Sequence, residues 1–191
     1  MPLAQVLSPL IPAGLARGSV VSVEGSTSLM VALAARASHE GSWSAIVGMP
    51  AVGVVAAARR GLDLSKLVLV PHPGTQVVEV AGACVDGMDV TLLGARLALS
   101  DADRRRLMSR ARERGSVVIA SGPWSGAHLR LVVEHSAWRG LGAGEGRLRE
   151  RDLTVAVTSR REGATRRVRI VLDADTSGLR HGAARVAEEV A

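Results

Sequence analysis

VVSVEGSTSLMVALAA, residues 20–35, is the stretch that decides the fold class of this chain. Its β-branched run ends at Gly25 and passes directly into a segment rich in Leu, Met and Ala, which is the pattern of a buried strand followed by a helix. Similar strand-like runs follow at 44–48, 67–71, 89–93 and 116–121, and helix-like segments lie at 29–38, 52–60, 76–85 and 101–114. We therefore predict a βαβαβαβαβ core with a mainly parallel sheet, because parallel neighbours require crossover helices.

The fourth helix has the clearest boundary signals. Ser100 with Asp103 three residues later forms a capping box, and Gly115 is suited to end the helix. Beyond Pro123 the pattern changes to period two in LRLVVEHSAW (129–138), LRERDLTVAV (148–157) and RVRIVL (167–172). We predict that these segments are antiparallel strands that extend the sheet.

Length and composition indicate one domain without an export signal or a membrane span. The chain has 191 residues, of which 47% are apolar and 22% charged, and Cys84 is its only cysteine. A single cysteine excludes an intramolecular disulfide and a Cys-rich metal site. The histidines show no i, i+4 pair, so we expect no metal. We predict a cytoplasmic protein with one core domain at 1–172 and a tail at 173–191 that forms a short helix.

The positive charge is concentrated in the second half of the chain. The formal net charge is +6, and residues 1–100 contribute six basic and six acidic groups, so the excess comes from residues 101–191. Arginines recur at spacing two, which in a strand places each set on one sheet face. We expect this basic stripe, with the neighbouring Trp138 and Arg139, to contact a partner or DNA: Arg147, Arg149, Arg151, Arg167 and Arg169. A solvated face opposite the apolar residues of the same strands remains equally open.

A phosphate-binding loop is expected after the first strand, but its motif is absent. In G-x-x-x-x-G-K-[ST] counted from Gly25, the second glycine, the lysine and the hydroxyl residue are replaced by Met30, Val31 and Ala32. Glu24 is the only charged side chain between Arg17 and Arg36, so we expect this turn to lack a cation and to repel a triphosphate.

Two segments therefore form a degenerate nucleotide site. The first is Gly25, Ser26, Thr27 and Ser28, whose hydroxyls can still cap the helix. The second is Gly94, which ends the strand DVTLL where a metal-binding carboxylate is expected. We predict no nucleotide hydrolysis, no catalytic residue and no cofactor.

The order of these segments resembles the RecA-like recombinases. GLARGSVVSVEG at 14–25 is similar to the glycine-rich lead into their first core strand, and MDVTLLGARLAL at 88–99 is similar to their Walker B strand. The resemblance implies a RecA-like three-layer α/β fold over roughly residues 14–121. On it, the Walker A lysine, the catalytic glutamate and the Walker B aspartate have no counterparts.

A narrower resemblance is to the actinobacterial ImuA-type proteins, carried by the overall register and by LRLVVEHSAWRGLGAGEGRLRERDLTVAV at 129–157. It implies a damage-induced accessory subunit in error-prone translesion DNA synthesis, part of the SOS response. The implied partners are an ImuB-like Y-family polymerase homologue, an error-prone C-family polymerase through it, and DNA as a further candidate. Two alternatives remain: a stand-alone DNA-binding RecA relative, and a residual ATPase completed in trans by a partner.

Overall fold

A computed structural model describes residues 1–139, 150–161 and 163–173. They form one eight-stranded sheet in the order β3-β2-β4-β5-β1-β6-β7-β8. The strands are β1 Val20–Glu24, β2 Ser44–Val47, β3 Leu67–Val70, β4 Val90–Leu93, β5 Val117–Ser121, β6 Leu129–Arg139, β7 Glu150–Ser159 and β8 Thr165–Asp173. The α-helices in this part of the chain are α1 Thr27–His39, α2 Val54–Arg59, α3 Val77–Gly87 and α4 Asp101–Arg114. No helix in these ranges is long and apolar enough to cross a membrane.

The predicted α/β core is confirmed in type and order. Each of the first five predicted strands and each of the four predicted helices is present, with ends shifted by at most a few residues. Helix α4 begins and ends as predicted: the Ser100 hydroxyl accepts from the Asp103 N–H at 3.2 Å, and Gly115 closes the helix with φ of 68°. These signals are local, which is why the sequence alone reveals them.

The three C-terminal strands extend the sheet, but one of them differs from the prediction. β6 pairs parallel with β1, whereas β7 pairs antiparallel with β6, and β8 with β7. The connection 122–128 returns the chain to the other end of the sheet, so β6 starts beside the start of β1. The predicted tail at 173–191 lies outside the described residues, apart from Asp173 at the end of β8.

Helices cover the two faces of the sheet unequally. On the first face, here called the α1 face, one buried cluster joins α1 and the N-terminal segment to β1, β4, β5 and the C-terminal strands, including Leu153 and Ile170. On the second, the α3–α4 face, α3 and α4 cover β1, β2, β4 and β5 through residues such as Val85 and Leu107. The C-terminal strands carry polar side chains on that second face.

His128 joins the start of β6 to the start of β1. Its backbone N–H donates to the Val20 carbonyl at 2.8 Å, and its Nδ1 accepts from the Val20 N–H at 3.1 Å. Burial lowers the pKa of His128 below its ordinary value, and the positive charges of Arg112, Arg160 and Arg161 lower it further. Since Nδ1 can accept only when it is unprotonated, the folded protein favours neutral imidazole.

This linkage makes stability depend on pH. Because the folded-state pKa lies below the unfolded one, the unfolded chain binds more protons, and stability is lost as pH falls through the ordinary histidine pKa of about 6.5. We expect the urea midpoint of unfolding to fall between about pH 7.5 and pH 5.5. His128→Asn keeps an acceptor near Nδ1 and should flatten this dependence, whereas His72→Asn on an exposed loop should leave it unchanged. An equal slope in His128→Asn and the wild type would contradict the assignment.

Candidate functional site

The candidate site lies where β1 ends and α1 begins. Gly25 makes the turn with φ of 84°, a conformation that side chains disfavour, and β6 passes so closely that a Cβ would lie 3.3 Å from Val133. Ser26 caps α1, since its hydroxyl accepts from the Leu29 N–H at 3.2 Å. Ser26 and Ser28 are joined by a hydroxyl–hydroxyl contact of 3.0 Å. The predicted capping role of these serines is thus confirmed for Ser26.

A guanidinium from the other end of the chain contacts these hydroxyls. Arg151 on β7 donates from Nη1 to Ser28 Oγ at 2.8 Å and to Ser26 Oγ at 3.4 Å. Its Nε donates to Ser136 Oγ at 2.8 Å, and its guanidinium carbon lies 5.3 Å from the centre of the Trp138 ring. A cation therefore stands at the N-terminus of α1.

The expectation that this turn lacks a cation is therefore wrong. Arg151 follows Ser28 by 123 residues, a separation that no local sequence pattern spans. The carboxylate expected to repel phosphate is also compensated, because Arg130 Nε lies 2.7 Å from Glu24 Oε1. Both arginines lie far from residues 17–36 in the sequence and reach the turn only through the pairing of β6 and β7.

A bulge in β6 brings two of the partners of Arg151 to this place. The register shifts between Val133 and His135, so the alternation of side chains changes phase at Glu134. After the shift, Ser136 and Trp138 share the α1 face with Arg151. Without the extra residue they would lie on the opposite face.

A second arginine adds to the positive charge near Arg151. Arg60, at the end of α2, donates from Nη1 to the Asp173 carbonyl at 3.2 Å. Burial is the main cause that lowers the pKa of Arg60 below its ordinary value; Arg151 lowers it further, and Asp173 acts in the opposite direction.

Gly94 is held in a position that excludes a side chain. Its N–H donates to the Val47 carbonyl at 2.9 Å, and a Cβ built on it would lie 2.1 Å from the carbonyl oxygen of Gly48. That oxygen belongs to backbone and cannot rotate away. A carboxylate at position 94 would therefore require the loop after β2 to move.

The predicted basic stripe is divided between the two faces of the sheet. Arg151 pairs with Leu172 on the α1 face, whereas Arg167 and Arg169 pair with Ala156 and Thr154 on the α3–α4 face. Trp138 lies on the α1 face. Arg139 lies on the other, where it contacts Asp152. Arg147 and Arg149 lie outside the described residues.

The arginines of the α3–α4 face are paired with acidic residues that the sequence analysis did not single out. Arg167 binds Glu134 through two contacts of 2.9 and 3.1 Å. Arg139 and Arg169 both contact Asp152 Oδ2, at 2.5 and 3.2 Å. A signal was available: arginine and acidic residues sit close together in EHSAWR and RERD, both on strands that were predicted to pair.

The chemistry of this arrangement is that of anion and carboxylate binding. The described residues contain no group of three or more His, Cys, Asp or Glu side chains placed to hold a metal ion. The guanidinium groups and the N-terminus of α1 attract negative charge. In the present arrangement, however, the Ser26 and Ser28 hydroxyls accept from Arg151 itself.

Two comparisons place the chain among known sequences. The MT3502 N-terminal domain family matches residues 9–126. The uncharacterized protein Rv3395c of Mycobacterium tuberculosis is 39% identical over 129 residues, which are 66% of this chain. The match spans 63% of the length of that relative. The chain belongs to the MT3502 N-terminal domain family, and the matched region contains Ser26, Ser28 and Gly94 but not Arg151.

Removing the Arg151 guanidinium should destabilise the fold. Arg151→Gln deletes hydrogen bonds from a charged donor to three hydroxyls, and we expect the free energy of unfolding to fall by about 1–3 kcal/mol. Urea denaturation followed by circular dichroism measures the change. Arg105→Gln, which removes the same charge from an exposed position on α4, is the matched control and should lie within about 0.5 kcal/mol of the wild type. Equal stabilities of the two variants would contradict a structural role for Arg151.

Proposed function

We propose that this chain is a non-catalytic accessory subunit with a RecA-like fold, acting in error-prone translesion DNA synthesis in the cytoplasm. In this proposal it binds an ImuB-like Y-family polymerase homologue and, through it, an error-prone C-family polymerase. The observation that carries the non-catalytic part is the direct contact of Arg151 with Ser26 and Ser28. The resemblance to ImuA-type proteins is the reason for proposing this partner.

The topology supports the RecA-like part of the proposal. β1 leads through a glycine turn into α1, and one strand, β5, separates β1 from β4. Both strands run parallel, so the turn after β1 and Gly94 after β4 lie at the same edge of the sheet. The resemblance equates these positions with the Walker A and Walker B motifs, which must meet around one nucleotide.

Two contacts argue against nucleotide chemistry at that edge. A hydrogen bond of 2.8 Å between Arg151 Nη1 and Ser28 Oγ leaves no space for a phosphate group between them. At Gly94 the Gly48 carbonyl occupies the space in which a metal-binding side chain would begin. A RecA-like body without nucleotide chemistry can act by binding other macromolecules.

Isothermal titration calorimetry tests the non-catalytic part. We expect no heat of binding when ATP and Mg²⁺ are added to the purified full chain. Arg151→Gln should not create binding either, because Gly94 still excludes the metal-binding side chain. Binding in the wild type that is lost in Arg151→Gln would favour the residual ATPase instead.

One feature favours the residual ATPase as a second candidate. A guanidinium group beside the positive end of a helix dipole is electrostatically unfavourable, so an anion bound there would be stabilised.

Co-purification tests the choice of partner. The tagged full chain is co-expressed with the ImuB-like polymerase homologue of the same genome, and the expected result is one complex on size-exclusion chromatography. Another Y-family polymerase of that genome is the control and should elute separately.

Mutation frequency tests the same role in the cell. Deleting the gene for this chain should lower the frequency of damage-induced mutation to that of a strain without the polymerase homologue. An unchanged mutation frequency, or no complex, would refute this part.

A further inference from the structure

The three C-terminal strands form a groove on the α3–α4 face. α3 and α4 cover the other half of this face, and β6, β7 and β8 line a groove of about 380 Å³. Arg139, Arg167, Arg169, His135 and Asp152 contribute to its lining. Its volume falls within the range of sites that bind small molecules or single side chains of a partner, about 300–1,000 Å³.

Asp152 is the buried centre of this groove. The residue is 4% exposed, and its Oδ2 accepts a hydrogen bond from Arg169 and forms an ion pair with Arg139. Its Oδ1 is buried and has no hydrogen-bond partner among the described residues. A buried carboxylate oxygen without a donor is costly, so this arrangement is incompletely satisfied.

The contacts around Asp152 contain one more positive charge than negative charge. Two guanidinium groups contact one oxygen of the Asp152 carboxylate, whereas no described residue donates to the other oxygen. Arg139 and Arg169 are also open to the solvent, with exposed side-chain fractions of 58% and 43%. A second carboxylate entering the groove would accept from the exposed donors of both Arg139 and Arg169, so that two guanidinium groups would face two carboxylates. Each charge would then have one partner.

We propose that this groove binds an acidic peptide segment of a partner protein, with a Glu or Asp carboxylate pairing with Arg139 and Arg169. Identifying that partner as the polymerase homologue rests on the proposed function; the recognition of an acidic peptide does not. In an extended peptide, acidic residues two positions apart project to the same side, as Arg167 and Arg169 do on β8. An extended acidic segment therefore fits the direction of the strands.

The groove is better suited to a peptide than to a nucleic acid. Arg167 is already paired with Glu134, and Arg139 and Arg169 share Asp152, so the groove has one positive charge in excess, which suits one carboxylate better than a phosphodiester chain with a charge at every nucleotide. Single-stranded nucleic acids also use aromatic rings on which bases stack. The residues that line the groove include no aromatic ring, and Trp138 lies on the opposite face.

Fluorescence anisotropy tests the proposal with defined probes. A labelled octapeptide of alternating glutamate and glycine should bind the full chain at low salt, and the same peptide with glutamine should not. Arg139→Gln and Arg169→Gln should each weaken binding about tenfold, the loss expected for one charged hydrogen bond. Arg105→Gln, with the same change in net charge, should bind like the wild type. Arg139→Gln keeps the contact between Arg169 and Asp152, so it should fold normally, and a thermal melt checks this.

Three results would overturn the proposal. They are equal binding of the glutamine peptide, equal weakening by Arg105→Gln, and tighter binding of an oligothymidylate that Arg139→Gln abolishes.

Co-purification with Arg139→Gln separates this inference from the proposed function. If the polymerase complex forms unchanged, the groove is not its docking site, although the proposed function stands. If no polymerase complex forms but the glutamate peptide binds, the groove stands and the proposed function fails.

Discussion

The parallel pairing of β6 with β1 governs the architecture around the site. β6 is hydrogen-bonded to β1 only from Leu129 to Val132, yet the strand continues to Arg139. The remaining residues extend by roughly 20 Å beyond the sheet edge where β1 ends, at about 3.3 Å per residue. Because β7 runs back along this extension, Arg151 lies above the N-terminus of α1. An antiparallel β6 would carry its far end to the opposite edge.

The same extension gives the two faces of the sheet different roles. On the α1 face, Arg151 fastens the C-terminal strands to the turn after β1, while Arg166 donates to the carbonyls of Pro9 and Leu10 in the N-terminal segment. Guanidinium groups here hold parts of one chain together. On the α3–α4 face, arginines and carboxylates meet in a groove that the helices leave uncovered. On that face Asp152 has one oxygen without a donor among the described residues.

The contact of Arg151 with the serines occupies hydroxyl groups at the N-terminus of α1. Helix N-termini and neighbouring hydroxyls usually hold an anion, and here the hydroxyl oxygens are occupied by a cation from the same chain. The arrangement also places Arg60 near Arg151, and the pKa of Arg60 is lowered mainly by burial and further by the charge of Arg151. Contacts from Ser136 and Trp138 compensate by orienting the guanidinium group.

The sequence by itself determined the local elements: the order of strands and helices, the capping box of α4 and the serine cap of α1, since each depends on residues within a few positions. It also indicated that Arg167 and Arg169 lie opposite buried apolar residues, because alternation along a strand is local. Only the tertiary structure decided that β6 runs parallel to β1, that the bulge at Glu134 reverses the faces of Ser136 and Trp138, and that Arg151 reaches Ser28. These results depend on strand register and direction, which hydrogen bonds between distant segments set and which no short stretch of sequence encodes.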